Sequence, residues 1–269
     1  MREFFEKTLK EAGETLLALY GKVGVKYSKV DSADVVTEAD LKSNEIIIKR
    51  IKEKFPDHKI MTEETHGDDY EFESGSEFVW LVDPLDGTRS FATKTPLFGI
   101  GVALARNDKL KYAGIYLPKF DEFLFAEAGS GAFFNGERIL CGTVTDFNLS
   151  FGSGFISWRP NKEQIIKSLL SRALKEPFWM ECLNAPTVET SFVATGRRDW
   201  LINRGGNIFD FAPPALILKE AGCKVTNFTG KEWDLTDSGE IMAANPVLHE
   251  KLVKILNLAG EAPNKDRTT

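Results

Sequence analysis

The chain has few of the residues that hold soft metals or staple a small fold. Its 269 residues include three cysteines, Cys141, Cys182 and Cys223, too widely spaced for a C-x-x-C pair. That argues against a zinc site and a disulfide framework, and it suits a reducing cytoplasm. Histidine is as scarce: His58, His66 and His249 form no ligand spacing and read as surface or loop residues. No apolar run approaches the roughly 18 residues a membrane span needs. Met1-Arg2-Glu3-Phe4-Phe5-Glu6-Lys7 is too charged for a signal peptide's apolar core. Basic residues are not in excess: 34 Lys+Arg stand against 40 Asp+Glu, for a formal charge of −6. That speaks against a nucleic-acid partner. Internal repeats and low-complexity linkers are missing as well.

What remains is a chain long enough to bury an ample core. Phe4, Phe5, Leu9, Ala12, Leu16, Leu17 and Tyr20 follow helical spacing, so the chain opens on an amphipathic helix. A second helix runs from Thr37 to Phe55, with Ile46, Ile47, Ile51 and Phe55 inward, and Pro56-Asp57 stops it. Strands are then predicted at Lys59–Thr62, Phe78–Asp83, Gly99–Ala105, Tyr112–Leu117, Phe123–Glu127 and Gly131–Phe134, with a hairpin turn at Asn135-Gly136. From about Cys141 the pattern alternates. Helices are expected at Lys162–Lys175, Thr187–Thr195, Phe211–Ala221 and Val247–Leu256, with strands at Phe178–Cys182, Trp200–Asn203, Lys224–Asn227 and Ile241–Ala244. A strand-rich half followed by an α/β half suggests a layered sandwich of sheets and helices, the halves (1-140 and 141-269) packed closely. The last residues, Glu261 to Thr269, lack apolar content and read as a frayed tail.

The most informative stretch is Asp83-Pro84-Leu85-Asp86-Gly87-Thr88, at the end of the apolar run Phe78-Val79-Trp80-Leu81-Val82. Paired carboxylates at a strand end can hold Mg²⁺, which prefers oxygen ligands and shares substrate phosphates. Gly-Thr then offers backbone N–H groups to an anion. A plain Asp-Pro turn is the competing reading. An EF-hand loop is not: counted from Asp83, position 3 is Leu85, glycine falls at position 5 and position 12 is Lys94. Glu63-Glu64 follows the Lys59–Thr62 strand, so two adjacent strands would bring Glu63 and Asp83 together at their C-terminal ends. Asp210 precedes Phe211-Ala212-Pro213-Pro214, and the prolines fit a helix only in its first turn. Taken alone, Glu63-Glu64 reads as a solvated loop and Asp210 as a helix cap.

Four motifs occur in order. Asp34-Val35-Val36-Thr37-Glu38-Ala39-Asp40 resembles D-x-V-T-x-x-D, and Glu63-Glu64-Thr65 resembles G-E-E-S/T with Thr62 in place of the glycine. Trp80 to Thr88 matches W-x-x-D-P-[ILV]-D-G-T, and Asp210 with Glu220-Ala221-Gly222 resembles W-D-x-A-A-x-x-x-x-x-E-A-G with Phe209 for Trp. The chain thus resembles the inositol monophosphatase family of lithium-sensitive, Mg²⁺-dependent phosphomonoesterases. The resemblance implies an alternating α-β-α-β-α sandwich, the N-terminal half carrying most metal ligands and the C-terminal half carrying Asp210 and the substrate loops. It implies that Glu63, Asp83, the Leu85 carbonyl and Thr88 bind a first Mg²⁺, that Asp83, Asp86 and Asp210 bind a second, and that a third, weaker ion sits near Glu63. Water would attack in line, with Thr88 Oγ1 against it and Asp40 accepting from Thr88. Gly87 and Thr88 N–H groups would cradle the phosphate. Lys29 and Glu64 match positions near the metal cluster. A homodimer, Li⁺ sensitivity and a cytoplasmic setting are further implications.

The substrate is less determined. Asn203 stands where the family prototype has a glutamate that contacts inositol hydroxyls, and Asn184-Ala185-Pro186-Thr187 departs from the family's G-T/S-A-A loop. Asn cannot supply a charged acceptor. Arg204 beside it could read a second anionic group bidentately, as could Arg197 or Arg198, against a plainer reading as surface arginines. Arg89-Ser90-Phe91 replaces T-N-F and resembles relatives acting on histidinol phosphate, though Asn203 beside Arg204 suits a cation poorly. Fructose-1,6-bisphosphate is a further option, which the spacing between Glu63 and Asp83 disfavours. Inositol-1-monophosphate is the default, and a catalytically silent phospho-ligand binder is the reading outside this class.

Overall fold

The computed structural model describes residues 1–22, 25–28, 35–66, 75–156, 162–236 and 239–257. Lys29, Asp34 and the tail from Glu261 lie outside them. The chain opens with helix α1 (Arg2–Leu19), which buries Phe5, Leu9, Ala12 and Leu16 along one face. A short antiparallel pair follows, β1 (Val25–Ser28) with β2 (Val35–Thr37), and leads into α2 (Glu38–Lys54). Strand β3 (Lys59–Thr62) ends in the short helix α3 (Glu63–His66). Strand β4 (Phe78–Asp86) runs into the short helix α4 (Thr88–Ala92). Strands β5 (Gly99–Arg106), β6 (Lys109–Leu117), β7 (Glu122–Glu127), β8 (Gly131–Phe134) and β9 (Glu137–Ile139) then meander antiparallel. The result is a seven-stranded sheet in the order β3-β4-β5-β6-β7-β8-β9, in which β3 and β4 are parallel.

The second part alternates: β10 (Phe151–Ile156), α5 (Lys162–Ala173), β11 (Trp179–Glu181), α6 (Pro186–Ala194), β12 (Trp200–Arg204), α7 (Ile208–Glu220), β13 (Lys224–Thr226), β14 (Glu240–Ala244) and α8 (Pro246–Asn257). Its five strands pair in the order β11-β10-β12-β14-β13. Three apolar cores order the layers. Phe5, Leu9, Ile47 and Ile51 from α1 and α2 cover Trp80 and Val82 on one face of the larger sheet. Val79 and Leu81, on its other face, share a core with Val188, Phe209 and Phe211 from α6 and α7 and with Leu201 and Ala243 of the smaller sheet. Ile165, Leu169, Leu248 and Leu252 of α5 and α8 cover the far face of that sheet over Trp200 and Met242. The sequence of layers is therefore α-β-α-β-α, and the middle helices bury against both sheets. Each fully buried large side chain, such as Trp80 or Trp200, contributes on the order of 2–3 kcal/mol of transfer free energy.

Three expectations change. Strand β10 was not anticipated, its Phe-Gly-Ser-Gly-Phe-Ile run carrying two glycines, Gly152 and Gly154. Here Trp200's ring and the Ile202 carbonyl pack directly on them, where a Cβ would collide. Pro213 and Pro214 lie inside α7 rather than in its first turn, because the helix starts at Ile208. Of the histidines, read as surface or loop residues, His249 departs from that reading, while His58 sits half-buried in the loop after α2. His249 is fully buried, with Nε2 2.7 Å from Thr226 Oγ1, and His58 stacks on Phe55 and Phe78 and accepts from Trp80 Nε1 at 3.0 Å.

Candidate active site

The geometry of the Asp-Pro-Leu-Asp stretch follows from how β4 ends. It is not a turn after the strand but an irregular continuation of it: Asp83 pairs with Gly101 and Asp86 with Gly99. Three residue steps on β4 thus face two on β5, which is a bulge. In a regular strand, residues three apart point to opposite faces. The bulge removes one step and returns Asp86 to the face of Asp83, while Leu85 turns into the core beneath α1 and α2. Both carboxylates therefore look toward α6 and α7.

Asp210 meets them from α7. Asn207 caps that helix, accepting from Phe209 N–H at 2.8 Å, and its own N–H donates to Asp210 Oδ2 at 2.6 Å. The capping box pins one Asp210 oxygen at the helix start. Asp83, Asp86 and Asp210 each bring a carboxylate oxygen within 4.8 Å of the others, the first two buried and the third half-buried. Three like charges held so closely away from water are costly unless a cation or protons neutralise them. An all-oxygen donor set of this kind fits Mg²⁺ rather than zinc or copper.

Asp40 is held the same way. Its Oδ2 accepts from Thr37 N–H at 2.8 Å and Thr37 Oγ1 at 2.5 Å, in the capping box that starts α2. Thr88 Oγ1 lies 3.1 Å from Asp40 Oδ1 and 2.9 Å from the Leu85 carbonyl oxygen, either of which can accept its hydrogen bond. Glu63 opens α3 one residue beyond the Thr62–Val82 pair, which sets it beside Asp83. Burial pushes the Asp40 carboxyl up to about 6, against the Thr37 donors, and the charge of Glu63 adds to it. Burial likewise pushes Asp86 up to about 7, opposed by donors from Thr187 and with Glu63 again adding. Asp83 is braced within its own loop, its Oδ1 accepting from Leu85 N–H at 3.1 Å.

Gly87 caps α4 with φ 77°, and a Cβ there would meet the Leu97 carbonyl at 2.7 Å, so the position needs glycine. The remaining candidates divide. Glu64 is half-buried in α3, and Arg89 is exposed on α4. Asn184 is exposed with φ 53°, a conformation asparagine tolerates, at the position of the family's glycine. Arg204 pairs with Glu240. Asn203 is fully buried: Phe155 N–H donates to its Oδ1 at 2.9 Å, and its Nδ2 donates to Glu189 Oε2 at 2.8 Å. Its amide is thus committed inside the protein. Arg197 and Arg198 pair with Glu122 and Glu181. Sequence reasoning passed over Asn207, although Asn-x-x-Asp is a capping-box spacing. It also gave no role to Glu189, a fully buried glutamate for which helical spacing offered no signal.

Comparisons with known proteins agree with this arrangement. The chain matches the inositol monophosphatase family over residues 1–261. It is 32% identical over 255 residues to a Thermotoga maritima fructose-1,6-bisphosphatase/inositol-1-monophosphatase, covering 95% of each chain. It is 31% identical to a putative Nus factor SuhB of Neisseria meningitidis serogroup B, covering 93% of this chain and 95% of that one. The solved structure of a Thermotoga maritima IMPase superposes with a TM-score of 0.84 at 32% identity, over 96% of this chain and 97% of the other. The chain belongs to the inositol monophosphatase family, whose members are metal-dependent phosphomonoester hydrolases.

Proposed function

We propose that the protein hydrolyses a small phosphomonoester, inositol-1-monophosphate first among them, by direct attack of water. The observation that carries this is the meeting of Asp83, Asp86 and Asp210 within 4.8 Å, beside Thr88 and Asp40. Asp83, Asp86 and Asp210 would hold one Mg²⁺, and Glu63, Asp83, Thr88 and the Leu85 carbonyl another. Bound there, Mg²⁺ supplies Lewis acidity to the phosphoryl oxygens and the attacking water, and positive charge to the leaving oxygen. The chain's own groups do the rest. Thr88 Oγ1, with its proton directed at Asp40 Oδ1, offers a lone pair to a proton of the attacking water. As that proton moves to Thr88, the Thr88 proton passes to Asp40 Oδ1, which already accepts its hydrogen bond. The N–H groups of Gly87 and Thr88 would cradle the phosphate at the start of α4, the Gly87 N–H also donating to Asp86. The reading carries with it two or three Mg²⁺ ions, a homodimer and a cytoplasmic setting.

A sugar bisphosphate is the second reading, supported by the likeness to a relative whose name joins fructose-1,6-bisphosphatase with inositol-1-monophosphatase. A panel of inositol-1-phosphate, histidinol phosphate, fructose-1,6-bisphosphate and 3′-phosphoadenosine compounds, assayed for phosphate release with Mg²⁺, separates these. The highest kcat/KM is expected for inositol-1-phosphate. A preference for fructose-1,6-bisphosphate would move the assignment to the second reading, and no release from any compound would leave a phospho-ligand binder.

A further inference from the structure

Asp86 is fixed by a residue that the site's motifs do not contain. Thr187, the second residue of α6, donates its backbone N–H to Asp86 Oδ2 at 2.6 Å, and its hydroxyl donates to the same oxygen. Pro186 before it has no N–H, so Thr187 carries the first free donor of the helix, at its positive end. The sheet is shaped to admit the Thr187 side chain: a Cβ on Gly99 would lie 2.5 Å from Thr187 Oγ1, and one on Gly101 would lie 3.5 Å from Thr187 Cγ2.

We propose that Thr187 is a positioning residue for the metal site: by occupying Asp86 Oδ2 with two donors it sets the carboxylate's rotation and turns Oδ1 toward the cation shared with Asp83 and Asp210. A carboxylate oxygen has two lone-pair directions, and Thr187 fills both on Oδ2. So held, and with the Gly87 N–H donating to it as well, the carboxylate lacks the rotational freedom of an unbraced aspartate. Groups that orient a metal ligand in this way contribute about 10- to 100-fold to metal affinity. The proposal rests on the reading of the acidic cluster as a divalent-cation site.

The test is titration of Mn²⁺, an oxygen-preferring stand-in for Mg²⁺, into the metal-stripped full-length protein, with free Mn²⁺ followed by electron paramagnetic resonance. Thr187→Val, which keeps the shape and loses the hydroxyl, should weaken binding by about tenfold. Thr187→Ser should bind as the wild type does. On an Asp86→Asn background, Thr187→Val should cost nothing further. If the valine variant does not fold, Thr187→Ala, which only removes atoms, takes its place. Wild-type affinity in the valine or alanine variant would overturn the proposal, as would equal weakening by serine and valine or a further loss on the Asp86→Asn background. A wild-type protein that binds no Mn²⁺ would overturn both the proposal and the site reading. One that binds Mn²⁺ yet releases no phosphate would remove the proposed function alone and leave Thr187 to be decided by the titration.

Discussion

Four acidic residues at the site each commit an oxygen to a neighbouring polar donor. Asp40 and Asp210 do so as the third residues of capping boxes, Asp83 through the Leu85 N–H, and Asp86 through Thr187. This brace separates charge from architecture. Asp210→Asn retains an oxygen to accept from Asn207 N–H, so α7 should keep its start and melt near the wild type. It removes a charged ligand, and kcat should fall about a hundredfold or more. Thermal melts beside Mg²⁺-dependent phosphate release check both halves. Glu189 makes the pH prediction. Burial holds its carboxyl up to about 8, above the 4.5 of an unfolded glutamate, with donors from Asn203, Leu183 and Asn184 opposing. The folded state therefore holds a proton that the unfolded state releases. Its stabilising share is complete below about pH 4.5 and is lost as pH rises toward 8, by up to roughly 1 kcal/mol per pH unit. Denaturant melts in EDTA should show Glu189→Gln gaining on the wild type from pH 5 to pH 8, and parallel curves would contradict this. At this scale the three clustered carboxylates were legible, because Asp83, Asp86 and Asp210 sit in ordered motifs. Glu189 and the closed-off Asn203 were not, because burial depends on which helix covers which strand.

At the scale of elements, the site depends on two irregularities that residue types do not announce. The bulge between Asp83 and Asp86 is invisible in an alternation pattern, since β4 is apolar on both faces and its period is hidden. The start of α7 was placed three residues late, because Pro213 and Pro214 suggested a first turn. Asn207 caps the helix earlier, and Pro213 and Pro214 lie within it although neither has an N–H for the helical ladder. The positions of β3 to β8, by contrast, followed closely from apolar runs, and the Asn135-Gly136 turn joins β8 to β9, with Asn135 at φ 45° and Gly136 at φ 96°. The contact between β5 and α6 is the element-level prediction. Gly99→Ala places a methyl 2.5 Å from Thr187 Oγ1 and 2.6 Å from Leu117 Cδ2. It should cost about 1–3 kcal/mol in chemical denaturation and weaken Mn²⁺ binding in step, by displacing Thr187 from Asp86.

For the whole molecule, the cluster lies where the larger sheet meets the middle helices, with ligands drawn from both parts of the chain. The core there joins Val79, Leu81 and Ala103 to Phe209, Phe211 and Leu201, so a cation at the site couples the two sheets' packing. Binding that favours the folded state raises stability by mass action. Mg²⁺ at about a hundred times its Kd should raise Tm by roughly 5 °C, EDTA should reverse the rise, and Asp83→Asn should abolish it. A layered sandwich of sheets and helices was readable from the pattern of elements, and its α-β-α-β-α order came with the family resemblance, whereas the burial of Asn203 beside Glu189 needed the assembled layers. The most direct measurement is phosphate release from inositol-1-phosphate by the purified protein, with and without Mg²⁺, in the wild type and in Asp83→Asn. Turnover that requires Mg²⁺ and disappears in the variant is the predicted result. Turnover that persists in EDTA, or in Asp83→Asn, would contradict hydrolysis at this cluster.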